Sequence, residues 1–279
     1  MIPHSTELAD VLPFLNRPAL VLDSGSGGLT VWQEICHLTP LLDTFYLADF
    51  AAYPYGLKTE GALVERVSEI LATLVPQLQP GVIVVACNTA STIVLEEIRR
   101  LYSVPVVGVV PAIKTAAIAS QNRRIGLLAT PGTVARDYLN NLITLHASDC
   151  QVVRVGSNVL VALAEDVLCE RHVSAEAIAR EIEPVLVAEC DQVVLGCTHF
   201  PLLKPYLTQL APQVAWVDSG KAIARRVADL LGNRADPISV GSEPVHIAAT
   251  TLANLDNQWR EGVAKLGFHQ AMTLPIGKR

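Results

Sequence analysis

Two cysteines follow short apolar runs that end in the same way. Cys87 comes after Val-Ile-Val-Val-Ala at 82–86, and Cys197 comes after Gln-Val-Val-Leu-Gly at 192–196. A helix that begins after each run would favour the thiolate, which is the basic and nucleophilic form of a group whose pKa is normally about 8.5. Cysteines outside disulfides are also commonly buried as small apolar residues. Because both cysteines stand at matched strand ends, the pattern favours two reactive thiols.

Acidic, basic and hydrogen-bonding residues accompany the two cysteines. Asp23 ends an earlier apolar run, and His199 lies two residues after Cys197. His199 is expected to orient or exchange protons with a thiol or a substrate, with helix capping or a surface role as the alternative. Asp23 is expected to face the same site, with an N-cap or a turn as its alternative role. Short side chains that can donate hydrogen bonds stand beside these groups, namely Ser24, Asn88, Thr89 and Thr198.

The elements that must position these residues alternate between short apolar strands and longer amphipathic helices. This order predicts parallel βαβ units, in which ligands bind beyond the carboxyl ends of the strands. We expect helices at 60–78, broken by Pro76 near its end, at 91–102 and at 201–210, each of the last two following one cysteine. A strand is expected at 104–110, and the chain beyond residue 232 is expected to be less regular.

The strand–cysteine pattern occurs twice, so the sequence predicts an internal repeat. The expected fold is α/β, with two pseudo-symmetric lobes, each a mostly parallel sheet flanked by helices. The active site is expected in the cleft between the lobes, where each lobe contributes one cysteine.

Composition excludes several classes of protein. The 279 residues are 51% hydrophobic and 17% charged, which rules out disorder. The net charge of −6 makes nucleic acid an unsuitable partner. No apolar stretch approaches the roughly 18 residues of a membrane span. Residues 1–16 do not resemble a signal peptide. The six cysteines form no CxxC pair, so we expect reduced thiols and a cytoplasmic protein.

Motifs for common cofactors are incomplete. The segment at 25–30 lacks the third glycine of the dinucleotide fingerprint. The Gly-Lys-Ala sequence at 220–222 lacks the preceding glycine and the following serine or threonine of a phosphate loop. No spacing of histidine, cysteine and acidic residues is typical of a metal site. We therefore expect neither an organic cofactor nor a metal.

An ordered set of motifs from about residue 19 to residue 232 resembles glutamate racemase, in the aspartate/glutamate racemase family. The most specific are Cys-Asn-Thr-Ala-Ser at 87–91 and Gly-Cys-Thr-His-Phe-Pro-Leu-Leu at 196–203. The others are Asp-Ser-Gly-Ser-Gly-Gly-Leu at 23–29, Pro-Tyr-Gly at 54–56, Val-Pro-Ala-Ile-Lys at 110–114, Gly-Thr-Val at 132–134 and Asp-Ser-Gly at 218–220.

This resemblance implies a cofactor-independent enzyme that interconverts L- and D-glutamate and supplies D-glutamate for peptidoglycan. It implies that Cys87 acts on D-glutamate and Cys197 on L-glutamate, from opposite faces of the α-carbon. Asp23 and His199 are similar to the assisting residues beside each thiol, and Glu165 to a further assisting acid, with Asp166 as the adjacent alternative. The substrate-binding pairs that the resemblance implies are Asp23-Ser24, Tyr55-Gly56, Asn88-Thr89 and Thr198-His199.

The resemblance also implies a discontinuous first lobe of residues 1–110 and 219–279, and a second lobe of residues 111–218. Family members are often homodimers, and some are activated by a cell-wall precursor, so both are candidate properties of this chain. Three alternatives stay open from the residues themselves. They are a cysteine-pair racemase for aspartate or hydantoins, a two-lobe amino-acid-binding protein without catalysis, and a nicotinamide-dependent enzyme.

Overall fold

The computed structural model describes residues 7–232, 243–251 and 257–276. The chain divides into two compact units, with bounds Met1–Val109 plus Gly220–Arg279 for the first and Val110–Ser219 for the second. Residues 1–6, part of the segment for which no signal peptide is expected, lie outside the described residues. No helix in the described residues is long and apolar enough to cross a membrane.

The first unit contains a parallel sheet whose strand order is β10-β9-β2-β1-β3-β4. Its strands are β1 (Ala19–Asp23), β2 (Thr44–Ala48), β3 (Val82–Val85), β4 (Val106–Gly108), β9 (His246–Thr250) and β10 (Gln270–Thr273). Its helices are α1 (Leu8–Val11), α2 (Leu29–Leu38), α3 (Glu60–Leu78), α4 (Asn88–Leu101), α11 (Gly220–Gly232) and α12 (Asn257–Lys265). Strands β1, β2 and β3 are buried along their whole length, as expected for a parallel sheet covered on both faces.

The second unit contains a parallel sheet of strand order β6-β5-β7-β8. Its strands are β5 (Arg124–Ala129), β6 (Gln151–Gly156), β7 (Gln192–Leu195) and β8 (Ala215–Val217). Its helices are α5 (Ile113–Ala119), α6 (Pro131–Val134), α7 (Asp137–His146), α8 (Val159–Leu168), α9 (Ala175–Val187) and α10 (Lys204–Leu210). The two central strands, β5 and β7, separate two apolar clusters, one packed under α8 and α9 and the other under α5 and α7.

Several predicted elements need correction. Helix α3 is not broken by Pro76, because Leu74 and Leu78 on either side of it are packed in the core and keep the last turn helical. Helix α4 begins at Asn88, three residues earlier than expected, and β4 is shorter than predicted. The segment at 201–210 is a 3₁₀ helix, Phe200–Leu203, followed by α10. The region after residue 232 includes the unpredicted helix α12.

Candidate functional site

Cys87 lies at the carboxyl end of β3 and is the N-cap residue of α4. The preceding residue continues the strand pairing, since the Ala86 backbone N–H donates to the Leu22 carbonyl over 2.7 Å. The thiol is 7% exposed. A helix of 14 residues thus begins directly after the sulfur, and its N-terminal dipole stabilises negative charge there.

Asp23 ends β1, the strand beside β3, and Ser24 follows it. One carboxylate oxygen of Asp23 accepts hydrogen bonds from the Gly25 backbone N–H at 2.8 Å and from the Ser24 hydroxyl at 3.3 Å. The Ser24 hydroxyl also lies 4.0 Å from the Cys87 sulfur. Asp23 therefore has the turn role that its sequence allows, but it does not cap α2, whose N-cap is Gly28.

Glycine at position 28 leaves room for the Asp23 side chain. A Cβ atom at Gly28 would lie 2.8 Å from the Asp23 Cβ and 3.1 Å from its Oδ2. Gly28 is therefore required for the placement of the acid, which is a packing reason distinct from nucleotide binding.

Asn88 and Thr89 begin α4 immediately after Cys87 and are both about 5% exposed. The Nδ2 group of Asn88 is buried and has no hydrogen-bond partner in the part of the chain that the structure describes. An unsatisfied buried donor is energetically costly, so its presence beside the sulfur points to a ligand acceptor.

Tyr55 and Gly56 lie in a 3₁₀ helix, Tyr55–Leu57, between β2 and α3. The Tyr55 ring is buried, and its hydroxyl donates to Asp49 over 2.8 Å. Burial, followed by the charge and hydrogen bond of Asp49 and the charge of Cys87, raises the pKa of Tyr55 well above its usual value. Tyr55 is therefore a neutral hydrogen-bond donor to Asp49.

Sequence reasoning missed Asp49, which directly follows β2 and whose backbone N–H donates to the Asp23 carbonyl over 2.9 Å. It also missed Arg66, whose guanidinium contacts both carboxylate oxygens of Asp49. The available signal was the position of Asp49 at a strand's carboxyl end, where functional residues of parallel sheets collect.

Cys197 lies at the carboxyl end of β7, in the position that Cys87 has after β3. The Gly196 backbone N–H donates to the Leu128 carbonyl over 2.7 Å, as Ala86 does to Leu22 in the first unit. A Cβ at position 196 would lie 2.7 Å from a Leu127 methyl group and 3.0 Å from the Leu128 carbonyl oxygen. Only glycine therefore lets the chain approach β5 this closely before the thiol.

The helix expected at 201–210, after Cys197, is not α-helical over its first residues. A turn and the 3₁₀ helix follow the sulfur, and α10 begins only at Lys204. The helix-dipole argument therefore applies to Cys87 but not to Cys197.

A histidine is placed beside Cys197 instead. The Nδ1 atom of His199 lies 3.6 Å from the Cys197 sulfur, and its Nε2 atom lies 2.7 Å from Oε1 of Glu165 on α8. The adjacent Asp166 pairs with Arg171. Of the two acids that the sequence left open, Glu165 is the one in contact with the histidine.

Burial lowers the pKa of His199, but the hydrogen bonds and charges of Cys197 and Glu165 outweigh it and raise the pKa well above the usual value. The protonated ring is thus the favoured form near neutral pH. A protonated imidazole next to a sulfur stabilises a thiolate and can return a proton to it.

The first unit thus brings together Asp23, Ser24, Tyr55, Cys87 and Asn88, and the second brings together Cys197, His199 and Glu165. Thr198, between the thiol and the histidine, is buried at 6% exposure.

Two other cysteines have environments that oppose reactivity. Burial raises the pKa of Cys36 to about 12, with a Thr44 hydrogen bond acting in the opposite direction. Burial also raises the pKa of Cys190, to about 11. Both remain thiols near neutral pH, which is typical of packing residues.

These two thiol sites can be compared with known proteins. A family model described as Asp/Glu/Hydantoin racemase matches residues 36–227, more than half of the chain. The chain therefore belongs to the Asp/Glu/hydantoin racemase family, and by class it is an amino-acid racemase.

Relatives within the family narrow this class. A protein named glutamate racemase from Shewanella denitrificans is 44% identical over 263 residues, which cover 94% of this chain and 92% of the relative. The crystal structure of Escherichia coli glutamate racemase, in complex with L-glutamate and the activator UDP-MurNAc-Ala, is 44% identical with a TM-score of 0.85. The match covers 93% of this chain and 98% of the E. coli chain.

A more distant structure has the same fold. Glutamate racemase isoform RacE1 from Bacillus anthracis is 27% identical with a TM-score of 0.78, covering 94% of this chain and 99% of that one. The predicted family resemblance and the α/β fold with two mostly parallel sheets are confirmed by these comparisons.

Proposed function

We propose that this protein interconverts L- and D-glutamate, with Cys87 and Cys197 as the two acid/base groups. The observation that carries the proposal is the matched placement of the two thiols. Each cysteine is buried, directly follows a residue whose backbone N–H donates to the neighbouring strand, and has its own set of polar neighbours. The similarity to glutamate racemases supports glutamate as the substrate.

Two thiols suit this reaction because racemisation replaces one α-proton by another from the opposite face. One group must be deprotonated and the other protonated at the start of each turnover. The mechanism thus requires Cys87, from the proposed lobe of residues 1–110 with 219–279, and Cys197, from the proposed lobe of residues 111–218, to reach the same α-carbon from opposite sides. Neither product nor substrate is oxidised or reduced, so no cofactor is needed to balance the step.

In the L-to-D direction, Cys197 is the base. The protonated His199 stabilises its thiolate, and Glu165 holds the ring through the 2.7 Å contact at Nε2. Cys87 then delivers a proton to the opposite face. In the D-to-L direction Cys87 is the base, stabilised by the N-terminus of α4, with Asp23 linked to it through the Ser24 hydroxyl.

The carbanionic state must be stabilised by hydrogen bonds to the substrate carboxylate. The unsatisfied Nδ2 group of Asn88 supports a role as one donor. By resemblance, further contacts to the substrate come from Asp23-Ser24, Tyr55-Gly56, Thr89 and Thr198-His199.

The biological setting follows from the product. D-glutamate made by this reaction would supply peptidoglycan synthesis in the cytoplasm, where the thiols stay reduced. The E. coli relative was crystallised with the activator UDP-MurNAc-Ala, which supports activation of this chain by a cell-wall precursor. A homodimer is proposed on the resemblance alone.

The test is incubation of the purified protein with L-glutamate in deuterated water. D-glutamate carrying α-deuterium is the expected product, and its absence would contradict the proposal. L-aspartate and a hydantoin are tested in parallel, since preferential turnover of either would support the alternative substrates. Binding of glutamate without exchange would support a non-catalytic binding protein.

Single-thiol variants test the roles of the two cysteines. Cys87→Ala and Cys197→Ala should each abolish racemisation, because one face then lacks its acid or base. Loss of the α-proton and chloride from a threo-3-chloroglutamate needs only one base, so Cys87→Ala should retain it for the L-configured analogue and Cys197→Ala for the D-configured one. The buried Cys190→Ala variant is the matched control. Near wild-type racemisation by either single-thiol variant would contradict the two-base mechanism.

A further inference from the structure

We propose that the buried Asp49–Arg66 pair positions Tyr55 for substrate binding, and that the C-terminal part of the chain holds this pair in place through Thr251. This inference rests on the proposed function, in which Tyr55-Gly56 contacts glutamate. It assigns a role to three residues outside the family motifs described above.

The first step is the hydrogen-bond saturation of Asp49. Its side chain is fully buried, and Oδ1 accepts from Arg66 Nη2 at 2.6 Å and from the Thr251 hydroxyl at 2.7 Å. Its Oδ2 accepts from Arg66 Nε at 2.9 Å and from the Tyr55 hydroxyl at 2.8 Å. Two donors on each oxygen hold the carboxylate in one orientation, and the Tyr55 ring is held with it.

The second step is the origin of the donors. Arg66 comes from α3, while Thr251 directly follows β9, 202 residues along the chain from Asp49. Arg66 Nη2 also donates to the Ile276 carbonyl over 3.1 Å. The Thr251 hydroxyl in turn accepts from the Ala51 backbone N–H at 2.9 Å, so the C-terminal segment contacts Asp49, Arg66 and the turn after Asp49.

The third step concerns charge. Asp49 accepts from the Tyr55 hydroxyl, and the charge of Cys87 acts on Tyr55, so an unpaired carboxylate at position 49 would oppose negative charge on that sulfur. Arg66 neutralises this carboxylate with a bidentate contact, which a lysine would not reproduce. Because the single Tyr55 proton is already donated to Asp49, the phenol contributes position to the site and not a proton to the substrate.

Two nearly isosteric variants test this arrangement without removing the buried ion pair. Tyr55→Phe and Thr251→Val each delete one hydroxyl on Asp49. Each should raise the KM for glutamate by roughly tenfold, the loss typical of one hydrogen bond to a charged group, with a smaller change in kcat. The double variant should show less than the product of the two effects, because both hydroxyls act through the same carboxylate.

Conservative replacement of the arginine adds a second readout. Arg66→Lys should keep the positive charge but lose the bidentate contact with Asp49, and so raise KM. Arg66→Gln should raise KM and also lower kcat. Thr73→Val, on the exposed side of the same helix, and Tyr102→Phe, in the same unit, are the matched controls and should leave KM unchanged.

Hydrogen–deuterium exchange gives a readout that does not depend on turnover. In Thr251→Val without glutamate, the amides of Leu57 and Lys58, which donate to the Pro54 and Tyr55 carbonyls, should exchange faster than in the wild type. Unchanged exchange of these amides, or KM values within twofold of wild type, would overturn the positioning role. If the variants lose kcat and thermal stability together while KM stays constant, the residues have only a structural role, and the positioning role is also overturned. Failure of the proposed function is seen separately, as absence of racemisation in the wild-type protein.

Discussion

The imidazole of His199 has a partner on each ring nitrogen, a sulfur on Nδ1 and a carboxylate on Nε2. The two partners keep the ring protonated although it is almost fully buried, since together they outweigh the desolvation that lowers its pKa. Glu165 therefore acts through His199 and controls the charge beside Cys197.

The consequence is a pH dependence with a defined sign. Glu165→Gln removes one of the interactions that raise the pKa of His199, so the ring should lose its proton at lower pH. The alkaline limb of the kcat/KM profile for L-glutamate should move toward lower pH by about one unit, the usual size of an opposite-charge effect. The measurement is the pH–rate profile of the variant against the wild type.

The neighbouring acid provides the control. Asp166 is one position after Glu165 on the same helix, and its carboxylate pairs with Arg171. Asp166→Asn should therefore leave the pH–rate profile unchanged. An unmoved alkaline limb in Glu165→Gln would contradict the role assigned to the Glu165–His199 contact.

At the scale of elements, the strand end before Cys197 depends on a close backbone approach. Gly196 lies against β5 at the end of β7, where a Cβ would contact both a Leu127 methyl group and the Leu128 carbonyl. The Leu128 carbonyl accepts the Gly196 N–H, so it cannot move away without loss of that hydrogen bond. The position of the Cys197 sulfur is therefore set by this contact.

Gly196→Ala should destabilise the protein by roughly 1–3 kcal/mol, as overpacking of a core usually does, and should lower kcat by displacing Cys197. Chemical denaturation and glutamate kinetics measure the two effects. Gly61→Ala in α3 is the control. Its Cβ would meet nothing within 4 Å, and alanine should stabilise the helix by about 0.5–1 kcal/mol. Unchanged stability and kinetics in Gly196→Ala would show that the strand end is not constrained.

The predictable elements were those with strong apolar runs. Strands β3 and β7 match the apolar runs at 82–86 and 192–196 to within one residue, because residues buried on both faces of a parallel sheet form continuous apolar segments. The prediction of one α-helix at 201–210 was wrong at its start, because a 3₁₀ helix and an α-helix cannot be told apart by composition over so few residues. Helix α12 was missed because only a narrow stripe that includes Trp259 and Val263 is buried.

Long-range contacts within the site were beyond sequence reasoning. The Asp49–Thr251 hydrogen bond joins residues 202 positions apart, and no local pattern marks either of them as a partner of the other. Glu165 was identified through resemblance, but its preference over Asp166 required the direction of the side chains on α8.

At the scale of the whole molecule, the two sheets share one arrangement around their cysteines. In the first sheet, β3, which precedes Cys87, lies between β1 and the short edge strand β4. In the second sheet, β7, which precedes Cys197, lies between β5 and the short edge strand β8. The acids are placed differently. Asp23 ends β1, whereas Ala129 has the corresponding position at the end of β5, and the second unit uses Glu165 from a helix. The repeat thus preserves the thiols while the assisting groups differ.

A reaction carried by two thiols makes a prediction about the complete protein. Racemisation of glutamate should survive dialysis against a chelator and treatment with hydroxylamine, because proton removal and delivery are both assigned to cysteine side chains and neither needs a metal or a carbonyl cofactor. Alkylation with iodoacetamide should abolish it, and glutamate present during alkylation should slow that loss, since the thiolates would be covered by substrate. Activity is measured as formation of D-glutamate with a reductant present after chelation, so that thiol oxidation is not mistaken for loss of a metal. Activity that falls on chelation and returns with an added metal ion, or that falls with hydroxylamine and returns with pyridoxal phosphate, would contradict a reaction carried by the two thiols alone.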